Sequence, residues 1–410
     1  MRDIELYSRI LGVVSPWVVS NVELDNTNKK VEIEIVHDGS QVHCPECGES
    51  CTKYGKAPKS WRHLDTCQFM TILTADVPRI ECKTHGVLLL KVPWAERNSR
   101  FTAMMEALVI DWLKAANISS VASLTNLSWD EVDGILQRSV KRGLSRRKDS
   151  LPTQIGVDEK SFARRHDYVT IVSDQSTGHV IHIADDRKAD SLTSFYKKFP
   201  QEELASIDTV SMDMHQPYIS ATRECVPEAD EKIAFDKFHV AKHLSEAVDK
   251  VRRGENREFM KKGNDALKNT KYQWLRNGRS LSTEQSRDFE KLKTKAVETS
   301  LAWAVKETAM GLWHYVSHPH AKSAWLKWCE WAKETELKPV VRVAHTVERH
   351  LGGILNAVVS GANNAQAEGI NSIIQWIRYS ARGFRNRERF KNAIYFHLGG
   401  LDLYPASLSR

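Results

Sequence analysis

Residues 153–162 read TQIGVDEKSF, residues 167–174 DYVTIVSD and residues 179–185 HVIHIAD. Each is a short apolar run rich in Val and Ile, and Gly178 marks a turn between the second and the third. That pattern predicts three successive antiparallel strands. A helix-like segment, DSLTSFYKKF (190–199), comes next, followed by two more short apolar strands, IDTVSMDM (207–214) and KIAFD (232–236), each trailed by a helix candidate. Three strands followed by alternating helix and strand is a mixed α/β order. From His239 to Ser360 no strand pattern stands out; the segment is charged and carries Trp274, Trp303, Trp313, Trp325, Trp328 and Trp331. It reads as a long helical insertion whose tryptophans belong to a core rather than to base stacking. Residues 364–398 resume as one or two helices with a break at Gly383.

Upstream, KKVEIEIV (29–36) alternates in polarity like a strand and QFMTILTADVPRIEC (68–82) reads as another, so the first ~95 residues are expected to be mainly β. After VPWAERNSRFT (92–102) the period changes to helical, with Met104, Leu108, Asp111, Trp112 and Ala115 at spacings of three and four. In NISSVASLTNLSWDEVDGILQRSVKRG (117–143), Ser119 and Ser128 are candidate N-caps of two helices joined by a tight turn near Asn126. With the helix before them they form a helix-turn-helix unit. Its last helix ends in Lys141, Arg142, Arg146 and Arg147, cations suited to phosphates.

A chain of 410 residues with 41% apolar content supports several globular domains, and a net charge of +7 favours polyanionic partners once the charges cluster. Asp3 and Glu5 occupy the place where a signal peptide is basic, and no apolar run reaches the length of a membrane helix. The expectation is a cytoplasmic protein. Five of its seven Cys fall between positions 44 and 82. In a reducing compartment such clustering points to metal before disulfides. CPECG (44–48) and CKTHG (82–86) are matched knuckles, so Cys44, Cys47, Cys82 and His85 are expected to hold one tetrahedral Zn²⁺ as a structural staple. The spacing aims backbone amides at the first thiolate, and Gly48 and Gly86 permit a left-handed turn. Cys51 and Cys67 are spare or substitute ligands.

Acids at strand ends define a second group. Asp158 closes QIGVD and Asp213 closes TVSMD; if those strands are neighbours, the two carboxylates meet at one rim and can share a metal. Glu368 is the sole ionisable residue between Asn363 and Trp376, on a helix that could cross the same sheet. Just beyond a further strand, Asp236 and His239 in DKFH are candidates to stand behind the metal ligands, and Asp236 is also a rival for a ligand position. Glu159 should face away from Asp158. Downstream, IRYSARGFRNRERFK (377–391) is a basic comb in which Arg378, Arg382 and Arg385 are candidate phosphate contacts, and the basic stretch from Lys242 to Arg279 adds Arg252 and Arg253.

These features together resemble the ISL-three family of bacterial insertion-sequence transposases. The resemblance runs through the two knuckles, VPWAERNSRFT, IGVDEKSF, SMDM, FDKFHV and AEGINSIIQWIRYSARGFRN, and so covers nearly the whole chain. It implies a multidomain α+β and α/β protein. The implied domains are a zinc-ribbon-like β domain (1–95), a helix-turn-helix domain (96–150), a ribonuclease-H-like catalytic core (151–240), an α-helical insertion domain (241–355), and the final helices of the core (356–410). It further implies DDE chemistry: Asp158, Asp213 and Glu368 hold catalytic Mg²⁺ or Mn²⁺, water frees 3′ hydroxyls at the element's ends, and these attack target DNA. The implied partners are double-stranded DNA, as terminal inverted repeats and target, and further subunits in a homodimer or higher homo-oligomer at the nucleoid. A scaffold kept as a sequence-specific DNA-binding regulator, and a structure-selective nuclease, are the two alternatives.

Overall fold

The computed structural model of the chain describes residues 3–148, 150–163, 167–276, 282–360 and 365–408. Asn363 and Asn364 ahead of Glu368, and Arg279 at the end of the basic stretch, lie outside the described residues. The chain divides into two compact units, Met1–Lys148 with Ile377–Arg410, and Asp149–Trp376.

The first unit begins with helix α1 (Asp3–Leu11) and strands β1 (Trp17–Asp25), β2 (Lys30–His37), β3 (Val42–His43), β4 (Ser50–Arg62), β5 (Met70–Cys82) and β6 (Gly86–Leu89). They form one sheet in the order β1-β2-β5-β4-β3, with β6 on β5. Alternation drives it: Val31, Ile33 and Ile35 are buried while Glu34 between them is exposed, and Leu73, Ala75 and Val77 of β5 meet them on the same face. Trp94 packs edge-on against Trp17 at 5.0 Å and Trp61 at 5.4 Å between ring centroids, closing that core.

Three helices follow, α2 (Ala103–Leu113), α3 (Ile118–Thr125) and α4 (Trp129–Arg146). Asn126, at φ +52°, supplies the left-handed turn between α3 and α4. Ser128 caps α4 in a capping box with Glu131, as its position predicts. The other cap differs: α3 starts at Ile118 with Asn117, not Ser119, accepting from the Ser120 amide at 3.0 Å. Asn is as good a cap as Ser, and capping from Asn117 places Ser119 inside the first turn.

The second unit is built on five strands, β7 (Gln154–Ala163), β8 (Asp167–Asp174), β9 (Val180–Asp185), β10 (Thr209–Met212) and β11 (Ile233–Phe235), in the order β11-β10-β7-β8-β9. β7, β8 and β9 pair antiparallel; β10 lies parallel to both β7 and β11. Short helices α5 (Ala189–Tyr196), α6 (Gln201–Ala205), α7 (Gln216–Cys225) and α8 (Ala229–Lys232) make the crossovers. Beyond β11 the described residues are helical: α9 (Lys237–Lys261), α10 (Lys271–Leu275), α11 (Thr283–Lys295), α12 (Val297–Leu312), α13 (His318–Glu334), α14 (Lys338–Arg349), α15 (Leu351–Ser360) and α16 (Ala365–Ser380).

One apolar cluster runs from Ile155, Val210 and Phe235 of the sheet through Leu244 of α9 to Trp274, Trp325 and Trp328, with Trp303, Trp313 and Trp331 packed against it. The insertion's tryptophans are thus core, shared with the sheet. Helix α15 sits directly on β11, where a Cβ on Gly353 would lie 2.5 Å from the Phe235 ring. Only glycine allows that approach.

The last helix, α17 (Arg387–Leu398), departs from the expected closing of the core. It lies in the first unit, where Phe396 and Leu403 are buried with Phe101, Val109, Val132 and Val140, and where Arg389 donates to Asp133 of α4 at 2.9 Å. An apolar face already exposed by α2 and α4 recruits it.

Candidate metal centre and active site

The two knuckles converge. Cys44 and Cys47 flank the turn after β3, Cys82 ends β5 and His85 lies in the turn to β6. Their four ligand atoms all lie within 4.8 Å of one another, the sole set of three or more His, Cys, Asp or Glu that closes this far among the described residues. Cys44 Sγ is 3.6 Å from His85 Nδ1, and Cys47 Sγ is 3.7 Å from Cys82 Sγ. Gly48 at φ +76° and Gly86 at +67° make the left-handed turns, and the Glu46 amide points at Cys44 Sγ from 3.5 Å. The His85 amide, its ring and the Thr84 amide outweigh burial and hold the Cys82 thiol down to about 6, so a thiolate is on hand near neutral pH. Three soft sulfurs and one imidazole at this spacing fit Zn²⁺, with no open position for chemistry. Cys51 lies outside the set, its Sγ 3.4 Å from the Glu49 carbonyl, and Cys67 is an exposed thiol at φ +49°.

The acids gather at the second unit's sheet. Asp158 was expected to end its strand; it lies instead in the middle of β7, because pairing with β8 carries that strand on to Ala163. Its neighbours stop earlier. Ser211 pairs with Gly156 and Met212 with Phe235, the last pairs of the two parallel ladders; Asp213 and Asp236 follow directly after β10 and β11, and Asp158 lies two residues past Gly156 in β7. Asp213 and Asp236 thus stand at the carboxyl ends of the parallel strands β10 and β11, where open α/β sheets bind their ligands.

All three acids, with His239, line one cleft of about 40 Å³. Asp158 Oδ2 receives Lys160 Nζ at 2.7 Å and its Oδ1 the Glu159 amide at 2.7 Å. Asp213 accepts the His215 amide at 3.0 Å. Asp236 caps α9 through the Phe238 amide at 2.6 Å and stands 3.8 Å from His239 Nε2. Glu159 faces away and pairs with Arg187 at 3.4 Å. Helix α16 contributes Ala367, Ile370 and Asn371 to the cleft, whereas Glu368 in its first turn is exposed and does not line it. At 100° per residue, Glu368 sits about a quarter turn round from that lining face.

Comparison with known proteins gives the arrangement its context. A model of the DDE domain of ISL3 elements, described as a transposase, matches residues 155–394. The chain belongs to the ISL3 transposase family. A helix-turn-helix domain of transposase family ISL3 matches residues 90–140, and a zinc-finger of the IS204, IS1001, IS1096 and IS1165 transposases matches 40–85. The chain is similar to the transposase for insertion sequence element IS1557 of Mycobacterium tuberculosis, 26% identical over 94% of this chain and 93% of that protein. It is also similar to the transposase for insertion sequence element IS1001 of Bordetella parapertussis, 24% identical over 93% of this chain and 95% of that one.

The basic residues of this insertion-sequence transposase divide by environment. Arg142 was expected at phosphates; its guanidinium is instead buried, donating to Glu96 and, at 2.7 Å, to Glu106, itself buried. Arg252 is likewise buried and pairs with Asp249 at 2.8 Å, because both positions fall on the apolar face of their helices. Arg146 bonds Asp402 and the Tyr404 carbonyl, Arg147 lies over the Tyr395 ring, and Arg253 pairs with Asp249 at 3.1 Å. Lys141, Arg382 and Arg385 are exposed and Arg378 is half-buried. Arg382 adopts φ +54° at the break ahead of Gly383. Among the described residues no helix is long and apolar enough to cross a membrane.

Two residues of the cleft were missed in the sequence. Lys160, two positions past Asp158, had to share its face by strand alternation. Asn371 lies three past Glu368, and its Oδ1 is buried without a hydrogen-bond partner.

Proposed function

We propose that the transposase cuts and rejoins DNA at a DDE site formed by Asp158, Asp213 and Glu368 on a ribonuclease-H-like core. The observation that supports this reading is the cleft shared by Asp158, midway along β7, and Asp213, directly after β10, inside the region matched by the transposase model. The strand order, three antiparallel strands followed by two parallel ones, supports the core assignment. Hard carboxylate oxygens and the unpartnered Asn371 carbonyl suit Mg²⁺ or Mn²⁺. Paired ions would activate the attacking hydroxyl and stabilise the leaving oxygen of the phosphodiester.

The chain's own residues supply the remaining parts. Lys160 neutralises Asp158 until a divalent ion competes for it. His239 stands where it could orient a phosphate oxygen. Glu368, exposed on α16 next to Ala367 of the cleft lining, is the carboxylate this reading requires at the rim. The helix-turn-helix and zinc modules read the terminal inverted repeats, with exposed Lys141, Arg382 and Arg385 available to phosphates, and two or more subunits pair the ends before cutting.

The test uses duplexes carrying the inverted repeats that flank the gene, incubated with Mg²⁺. Wild type should cleave at the repeat ends and join strands, while Asp158→Asn, Asp213→Asn and Glu368→Gln each lose roughly 10²-fold or more in cleavage with repeat binding intact. Binding without cleavage by wild type would favour the regulator, and sequence-blind cutting of branched DNA the nuclease.

A further inference from the structure

We infer that the first unit carries a pocket for one unpaired nucleotide of DNA, between its sheet and the segment 92–100 that leads to α2. This rests on the reading above that the chain acts on DNA, and deepens it by naming where a single strand is held. Strand alternation and the register of β4, β5 and β6 put Lys59, Trp61, Val77, Arg79 and Leu89 on one face of the sheet. The segment after β6 lies over that face, anchored by Trp94 against Trp61. Between them is a cavity of about 440 Å³, with Pro45 and Glu46 of the first zinc knuckle in its wall.

Charge and size identify the occupant. The cations Lys59, Arg79, Lys91, Arg97 and Arg100 line the cavity against two acids, Glu46 and Glu96. Both acids are already matched, Glu46 by Arg97 at 3.5 Å and Glu96 by Arg142 of α4. Lys91 donates to the Pro45 carbonyl at 2.7 Å. That leaves the side chains of Lys59, Arg79 and Arg100 exposed, with no hydrogen bond or ion pair to the described residues. Three unmatched cations around one cavity favour a phosphate-bearing ligand. The walls between them are apolar, formed by Trp61, Val77, Leu88 and Val92. A volume within the range of small-molecule sites, about 300 to 1,000 Å³, suits a base with its sugar rather than a bare phosphate. Asn98, at φ +63°, and Ser60 bring an amide and a hydroxyl to the cavity for the base edge. A duplex is too broad to enter, whereas a nucleotide swung out of the stack or at the end of a strand is not.

The test uses the full chain loaded with zinc. Anisotropy of a fluorescein-labelled, mixed-sequence single strand about ten nucleotides long reads binding, beside a blunt duplex of unrelated sequence. Arg79→Gln and Arg100→Gln change exposed side chains, so their melting temperatures should match wild type. Each should weaken the single strand about fivefold and reduce its log-log salt slope by roughly 0.7, the value for one phosphate, while the blunt duplex shifts by less than about twofold. The same strand made of abasic sugars should bind wild type about tenfold more weakly, because the apolar walls then have no base to cover. The inference is overturned if both variants bind the single strand as wild type does, or if the duplex loses as much as the single strand. It is equally overturned if the abasic strand binds as tightly as the intact one, or if polyglutamate of equal charge displaces the strand as well as unlabelled DNA does. Wild type that binds no DNA, the inverted-repeat duplex included, overturns the DNA reading and this inference with it; repeat cleavage with both variants silent overturns this inference alone.

Discussion

His63 sits inside the first unit with its Nδ1 2.9 Å from Thr102 Oγ1, the cap of α2. Burial, and then the Arg62 charge beside it, push its pKa from 6.5 to about 4. Because the folded value is depressed, the unfolded chain takes up the proton first as pH falls. The stability this neutral ring contributes is therefore present above pH 6.5 and lost between 6.5 and about 4, on the order of 2 to 3 kcal/mol. Urea unfolding at pH 7.5 and pH 5 should show that loss in wild type and a smaller one in His63→Gln; His397, held at about 4 by burial, retains its own share. At this scale the zinc ligands were legible, since a pair of cysteines three apart announces its geometry locally. Asn371 was not, because an amide becomes a candidate ligand only once its burial and lack of a partner are known.

Among the elements, α4 shows how tertiary context reassigns a charge. Its basic end invites a phosphate, yet Arg142 turns inward and joins α4 to α2 through Glu106. Arg142→Met would leave the Glu106 carboxylate buried with Arg138 as its remaining ion-pair partner and should cost about 3 to 5 kcal/mol, much of it recovered in Arg142→Met/Glu106→Gln. Denaturant midpoints of the two variants check this. Lys141→Ala, one position earlier and exposed, should leave stability unchanged and lower the salt dependence of repeat binding by roughly one phosphate contact. Strands and helices themselves were readable from periodicity, including the turn at Asn126 and the break at Gly383. Strand limits were not: β7 continues past Asp158 because β8 is there to pair with it.

For the whole molecule, two units with separate cores imply two cooperative transitions, and zinc belongs to the first. Stripping it with a strong chelator should lower the melting temperature of that unit while the second keeps its own; Cys47→Ser should do the same without chelator, both read by calorimetry. The sequence by itself determined the order of modules, the strands, the helical run, the clustering of Cys44, Cys47, Cys82 and His85, and the family, because these depend on local spacing and periodicity. Only the tertiary structure decided that α17 joins the first unit, that Arg142 and Arg252 are buried, and that Asp158, Asp213 and Asp236 line one cleft while Glu368 is exposed outside it. Register between strands far apart in the chain, and the direction in which a helix face turns, are set by the sum of packing contacts; no short stretch of residues encodes them.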